Sequence, residues 1–202
     1  MNEAAYRQAI IDYIRAQAKP PDKFSHQERL YQLAVRLGGD EAFDDEILFA
    51  AAWLHDLGVF IGHRPEDPGA LAKWDNVAYA ARQAPALLKQ FGFPAEKIPA
   101  VVEVIRTHLP LGEPKSREGI LLRDADILEQ LGAVGVLRTV SKVGRDSRFV
   151  YFADALKVLR QNLEQLPAQL KLTAARELAR RRIELLRGFL EAADEEVEGG
   201  PL

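Results

Sequence analysis

The apolar positions along this chain recur mostly at three- and four-residue intervals, the signature of helices with one buried stripe. Residues 3–17 carry Tyr6, Ile10, Ile11 and Ile14 on such a stripe, and Pro20-Pro21 ends it. Residues 25–37 repeat the pattern with Leu30, Leu33, Ala34 and Leu37. Ser25 and Glu28 read there as a capping box, with Gly38-Gly39 as the stop. Asp44 or Asp45 opens a third helix, and residues 71–91 form a fourth, followed by Gly92. From Pro94 to His108 the stripe is Ile98, Val101, Val102 and Ile105. A buried helix spans 117–132, a short one 133–143, and two more cover 149–165 and 168–192, parted at Pro167. The acidic tail ending Gly199-Gly200-Pro201-Leu202 is expected to fray. Period-two alternation is nearly absent, so the pattern predicts an all-α protein. With no repeat and no composition break, it reads as one domain over residues 1–202.

The third helix departs from the pattern. Ala50, Ala51, Ala52, Trp53 and Leu54 are apolar on every side, and the run then delivers His55, Asp56, Leu57 and Gly58. The residues are helical in character, and Gly58 reads as a C-cap. A mostly buried helix that ends in an imidazole beside a carboxylate must satisfy both, because unpaired buried polar groups cost several kcal/mol or so. One metal ion would satisfy the two together. His26 lies in the first turn of the second helix, with Arg29 three residues on and on the same side. Asp124 and Asp126 interrupt the apolar helix at 117–132, where a carboxylate seldom points inward without a partner.

Composition narrows the chemistry. Hydrophobic residues make up 48% of the 202, enough for a sizeable core. Cysteine is absent, which excludes disulfides, thiolate metal sites and a cysteine nucleophile. Any metal is therefore held by His, Asp and Glu, which suit Mn, Mg, Fe, Ni or Zn. A net charge of −3 leaves no electrostatic footprint for general nucleic-acid binding. No apolar run approaches a membrane span and the N-terminus lacks the order of a signal peptide, so the expectation is a cytoplasmic protein. The abundance of amphipathic helix is compatible with a homodimer without requiring one.

His26, His55-Asp56 and Asp126 fall on three helices, and bundles commonly build metal sites from inward residues on facing helices. In this order and spacing the chain resembles the HD-domain metal-dependent phosphohydrolases, in particular small single-domain bacterial members. Ser25-His26 with Arg29 resembles that family's first-histidine helix, and Ala51 through Gly58 its signature helix. Ile105 with His108 resembles the segment before its last metal helix, and Arg123 through Gly135 its final motif. The resemblance covers about residues 20–140, with helices from about 148 to 193 as a C-terminal extension. It implies His26, His55, Asp56 and Asp126 as metal ligands, Asp126 rather than Asp124 because the family's ligand aspartate follows an alanine. Asp124 is then a group behind the ligands or exposed on its helix. A divalent ion (Mn, Mg, Fe, Ni, Co or Zn) is implied, with hydrolysis of a phosphate ester or anhydride, a nucleotide being the expected substrate.

The chain also departs from the family. Asn76 stands near where some members place a second-metal histidine, and Phe60 where some nucleotidases place an acid/base glutamate. His108 and His63 are the candidates for the vacant proton-transfer role beside Asp56. Arg29, Lys73, Arg145 and Lys157 are the candidates for substrate phosphates. Two other readings stand beside the hydrolase: a non-catalytic nucleotide-binding regulator of the HD type, and an HD-type di-iron oxygenase.

Overall fold

The structure is a computed structural model that describes residues 3–197. The predicted tail at Gly199–Leu202 lies outside them. Among the described residues every extended element is helical, and the one bridge, between Ile61 and Arg64, is isolated. The backbone divides into two compact units, Met1–Arg123 and Asp124–Leu202.

In the first unit, α1 (Glu3–Gln17) is followed by a 3₁₀ turn at Pro21–Lys23, α2 (Phe24–Gly38) and α3 (Asp45–Leu54). A second 3₁₀ turn, Leu57–Val59, leads to α4 (Pro68–Ala72), α5 (Asn76–Gln90) and α6 (Ile98–Thr107). The unit is built around α3, which touches α1, α2 and α6. Its residues Leu48 to Leu54 are all buried, as a helix apolar on every side must be. Asp44 caps it by accepting the amides of Glu46 and Ile47, at 3.1 and 3.2 Å. Lys97 pairs with Asp44 at 2.6 Å and with Glu46, which also receives the Tyr6 hydroxyl.

α7 (Arg117–Glu129) crosses the boundary between the units. The second unit continues with α8 (Gly132–Val140), α9 (Phe152–Gln165) and α10 (Thr173–Glu196), which pack on one another. Ala175, Ala179, Leu186 and Leu190 form the buried stripe of α10. The Arg182 guanidinium donates to the Leu128 carbonyl. Gly132 sits at φ 74°, and a Cβ there would lie 3.0 Å from Arg182 Cβ. Of the run Arg180-Arg181-Arg182, one therefore turns inward and two stay exposed.

Several local expectations change. Ser25 does not cap α2, which continues directly from the 3₁₀ turn headed by Pro21. The Ser25 hydroxyl sits inside the helix and donates to the Asp22 carbonyl at 3.0 Å, so no capping box forms. The predicted helix 71–91 begins at Asn76, because Asp75 accepts the Ala78 amide and fixes the start there. Part of the predicted 59–70 loop, with Leu71 and Ala72, forms α4, capped by Asp67. Gly58 is not a C-cap: α3 ends at His55, and the glycine serves close approach instead. A Cβ on Gly58 would lie 2.5 Å from the Asn76 carbonyl oxygen, where α5 begins.

Candidate metal centre

His55 is the C-cap of α3, and its neighbour Asp56 leads into the following 3₁₀ turn. His26 is the third residue of α2, which packs on α3. Both imidazoles are buried, and the carboxylate is one-fifth exposed. One carboxylate oxygen, Asp56 Oδ2, stands 3.6 Å from His26 Nε2 and 3.7 Å from His55 Nε2. The three donor atoms all lie within 4.8 Å of one another.

These separations are too long for hydrogen bonds. They match donors that share an ion: with each at about 2.0–2.2 Å from the metal, neighbouring donors stand about 3–4 Å apart. His55 Nδ1 bonds to the Ala52 carbonyl at 2.9 Å. A carbonyl only accepts, so the ring proton sits on Nδ1 and Nε2 carries the lone pair. That buried Nε2 has no hydrogen-bond partner, an arrangement that costs about 1–3 kcal/mol unless something fills it. A divalent cation held by two imidazole nitrogens and a carboxylate fits the three groups.

His108 repeats the device. It is the C-cap of α6, its Nδ1 bonds to the Ile105 carbonyl at 2.6 Å, and its ring centre is 4.9 Å from that of His55. Each histidine uses a carbonyl that the end of its own helix leaves without a partner, so the backbone fixes the tautomer. The loop after His108 is tied down by buried Arg123, whose Nε donates to the Pro110 carbonyl at 3.0 Å. Sequence reasoning missed this clamp. Its signal was an arginine inside an otherwise apolar helical run.

The remaining candidates each have defined surroundings within their own unit. His63 is held by both ring nitrogens, Nδ1 by the Tyr79 hydroxyl at 2.9 Å and Nε2 by Gln17 Oε1 at 2.8 Å. Burial lowers its pKa. Phe60 is fully buried. Arg29 donates to Ser25 Oγ at 2.8 Å, one turn beyond His26. Lys73 is exposed where α4 ends. In the second unit Arg145 and Lys157 are exposed. Asp126 is buried there, its carboxylate accepting from Gln130 Nε2 at 3.1 Å. Asp124 is fully buried rather than helix-exposed: it accepts the amides of Lys171 and Leu172, at 2.9 and 2.7 Å, just before α10.

The model of the HD domain matches residues 24–131. The uncharacterised protein YpgQ of Bacillus subtilis is 28% identical over 182 residues, 86% of this chain and 83% of its own. Its crystal structure superposes with a TM-score of 0.73 at 25% identity, covering 98% of this chain and 99% of that one. The crystal structure of YpgQ in complex with ADP gives 0.70 at 24% identity, with 96% and 98% covered. A predicted HD superfamily hydrolase from an uncultured Thermotogales bacterium gives 0.63 at 25% identity, with 94% and 91% covered. The matched stretch is more than half of the sequence and contains all four residues of the His, His-Asp, Asp order, and on that ground the chain belongs to the HD domain family.

Proposed function

We propose that this protein is a metal-dependent phosphohydrolase that cleaves a phosphate ester or anhydride of a small metabolite, and that the metabolite is a nucleotide. The convergence of His26, His55 and Asp56 on one point carries the reading. The family and the binding of ADP by YpgQ support the substrate class. The motif around Asp126, which places that aspartate in the final family segment, makes it our fourth ligand. A bound divalent ion supplies a water of lowered pKa and charge neutralisation at the phosphoryl group.

The chain's own residues do the rest. Nδ1–H of His55 stays on the Ala52 carbonyl and aims Nε2 inward. Asp56 places Oδ2 3.6 Å from His26 Nε2 and 3.7 Å from His55 Nε2, and we assign its carboxylate the orienting of the attacking water as well. We assign His108, whose Nδ1 is held by the Ile105 carbonyl, as the general acid for the leaving oxygen, acting in its doubly protonated form. His63, whose two ring nitrogens are held by Tyr79 and Gln17, is the second candidate for that role. Arg29, Lys73, Arg145 and Lys157 are proposed as contacts for substrate phosphates.

The test is a phosphate- and pyrophosphate-release screen over nucleoside mono-, di- and triphosphates with added manganese, run on wild type and on His108→Asn. We expect release from one nucleotide class and a fall in kcat of about a hundredfold or more in the variant, with KM little changed. Stoichiometric metal and tight nucleotide binding without turnover would contradict the hydrolase in favour of the regulator. About two irons per chain and no release would favour the oxygenase.

A further inference from the structure

The outer face of α10 has a composition that fits another copy of itself. On a helical wheel Gly188 lies opposite the buried stripe of Ala175, Ala179, Leu186 and Leu190. Beyond its chain neighbours and the nearby backbone of its own helix, no atom lies within 4 Å of where its Cβ would be. Leu185 is 45% exposed and Phe189 36% exposed, and both flank Gly188 on the same side, with Ala192 a turn further. This is a notch with an apolar flank on one side of it, on a helix about 36 Å long.

Charge is segregated along the same helix. Arg176, Arg180, Arg181, Arg182 and Arg187 precede or surround the notch, with Glu177 and Glu184 among them. Beyond it stand Glu191, Asp194, Glu195 and Glu196, with no basic residue. Arg182 and Asp194 are used inside the unit, by the Leu128 carbonyl and by Arg160. Arg181 and Glu195 are exposed, close to the line through Gly188, and each is seven residues from it.

We propose that two copies of this chain pair through α10, antiparallel, about a twofold axis at Gly188. The observation behind it is the joint placement of a notch, an apolar flank and opposite charges at equal distances from that notch. In the antiparallel arrangement Arg181 of one copy meets Glu195 of the second, about 10 Å from the axis, and the twofold makes the contact twice. Leu185 and Phe189 meet the same pair on the other helix, and the two glycines allow the backbones to approach. A parallel pair would set the basic stretch against itself, which is why the antiparallel one is chosen.

The cysteine-free sequence makes the test clean. Gly188→Cys should form an interchain disulfide under mild oxidation, because only residues on the axis bring their Cα atoms within about 7 Å. Leu137→Cys, 70% exposed on α8, should not cross-link. In sedimentation equilibrium the wild type should dimerise in the micromolar range. Arg181→Glu should weaken the dimer about tenfold or more, and adding Glu195→Arg should restore it. Circular dichroism checks that each variant keeps its helix content. A wild type that stays monomeric overturns the proposal. So does a dimer whose affinity ignores Arg181→Glu and whose Gly188→Cys form does not cross-link.

Discussion

The two ends of α3 solve the same problem in opposite ways. At the N-terminal end every charge is answered: Asp44 caps the helix, Lys97 bridges Asp44 and Glu46, and Glu46 takes the Tyr6 hydroxyl. At the C-terminal end His55 Nε2 is buried without a hydrogen bond, and Asp56 stands at 3.6 and 3.7 Å from two imidazoles, beyond bonding reach. The first end has the features of a structural anchor. The second buries an imidazole nitrogen, His55 Nε2, without a hydrogen bond, beside a carboxylate and a second imidazole that could hold a metal ion with it. One helix thus carries a structural anchor and a candidate metal centre about 15 Å apart along its length.

Changes at the two ends should therefore separate activity from stability. The largest effect is expected from Asp56→Ala, which should lower phosphate release by more than about a hundredfold, beyond what loss of a supporting group behind a metal ligand costs. Its helix content and unfolding midpoint in the absence of metal should match or exceed those of the wild type. A variant with normal turnover would break the comparison at its functional end. Next comes Gly58→Ala, which pushes a methyl to 2.5 Å from the Asn76 carbonyl oxygen. Backbone must move on both sides, so we expect about 1–3 kcal/mol of destabilisation in urea unfolding. Because Gly58 is two residues from Asp56, activity should fall as well.

Lys97→Met at the structural end should cost about 1 kcal/mol at neutral pH, a fall in Tm of about 2–4 °C, with kcat per folded molecule unchanged. A loss of turnover in this variant would mean that the two ends are coupled. The smallest effect is its pH dependence. The hydrogen bond from Lys97, and then that from Tyr6, hold the Glu46 carboxyl below its ordinary pKa. Asp44 shifts the same way: burial pushes it up, but the Lys97 bond and the two capping amides outweigh that. A depressed folded pKa contributes stability that is complete above the unfolded value, about 4, and lost as pH falls through the folded one. The gap between wild type and Lys97→Met should therefore be full at pH 7 and pH 5.5 and narrow below about pH 4. Urea titrations at these pH values measure it.

Much of this division was legible in the residues. The all-apolar run before His55-Asp56 announced a buried helix with a polar end, and α3 is buried throughout that run. Of the stripe Tyr6, Ile10, Ile11 and Ile14, all but Ile11 are fully buried, and in α6 Ile98, Val101 and Ile105 are buried as expected, with Val104 in place of Val102 on the inward side. What failed did so where two segments meet. Gly58 looked like a helix stop, and only the proximity of Asn76 shows that it is there for lack of a side chain. Ser25 with Glu28 has the spacing of a capping box, but a 3₁₀ turn upstream moved the helix start. Asp124 and Asp126 were equivalent by periodicity. The difference lies in the amides of Lys171 and Leu172, 47 and 48 residues away, which no local pattern encodes. The tautomer-fixing bonds of His55 and His108 follow from their place at helix ends, a signal that a boundary prediction accurate to one residue would have revealed.

The central claim is that His26, His55 and Asp56 hold a divalent ion. Isothermal titration of manganese into chelator-treated protein, wild type beside His55→Ala, tests it most directly. The account predicts saturable binding by the wild type and its loss in the variant, with helix content unchanged. No binding by the wild type, or equal binding by both, would contradict it.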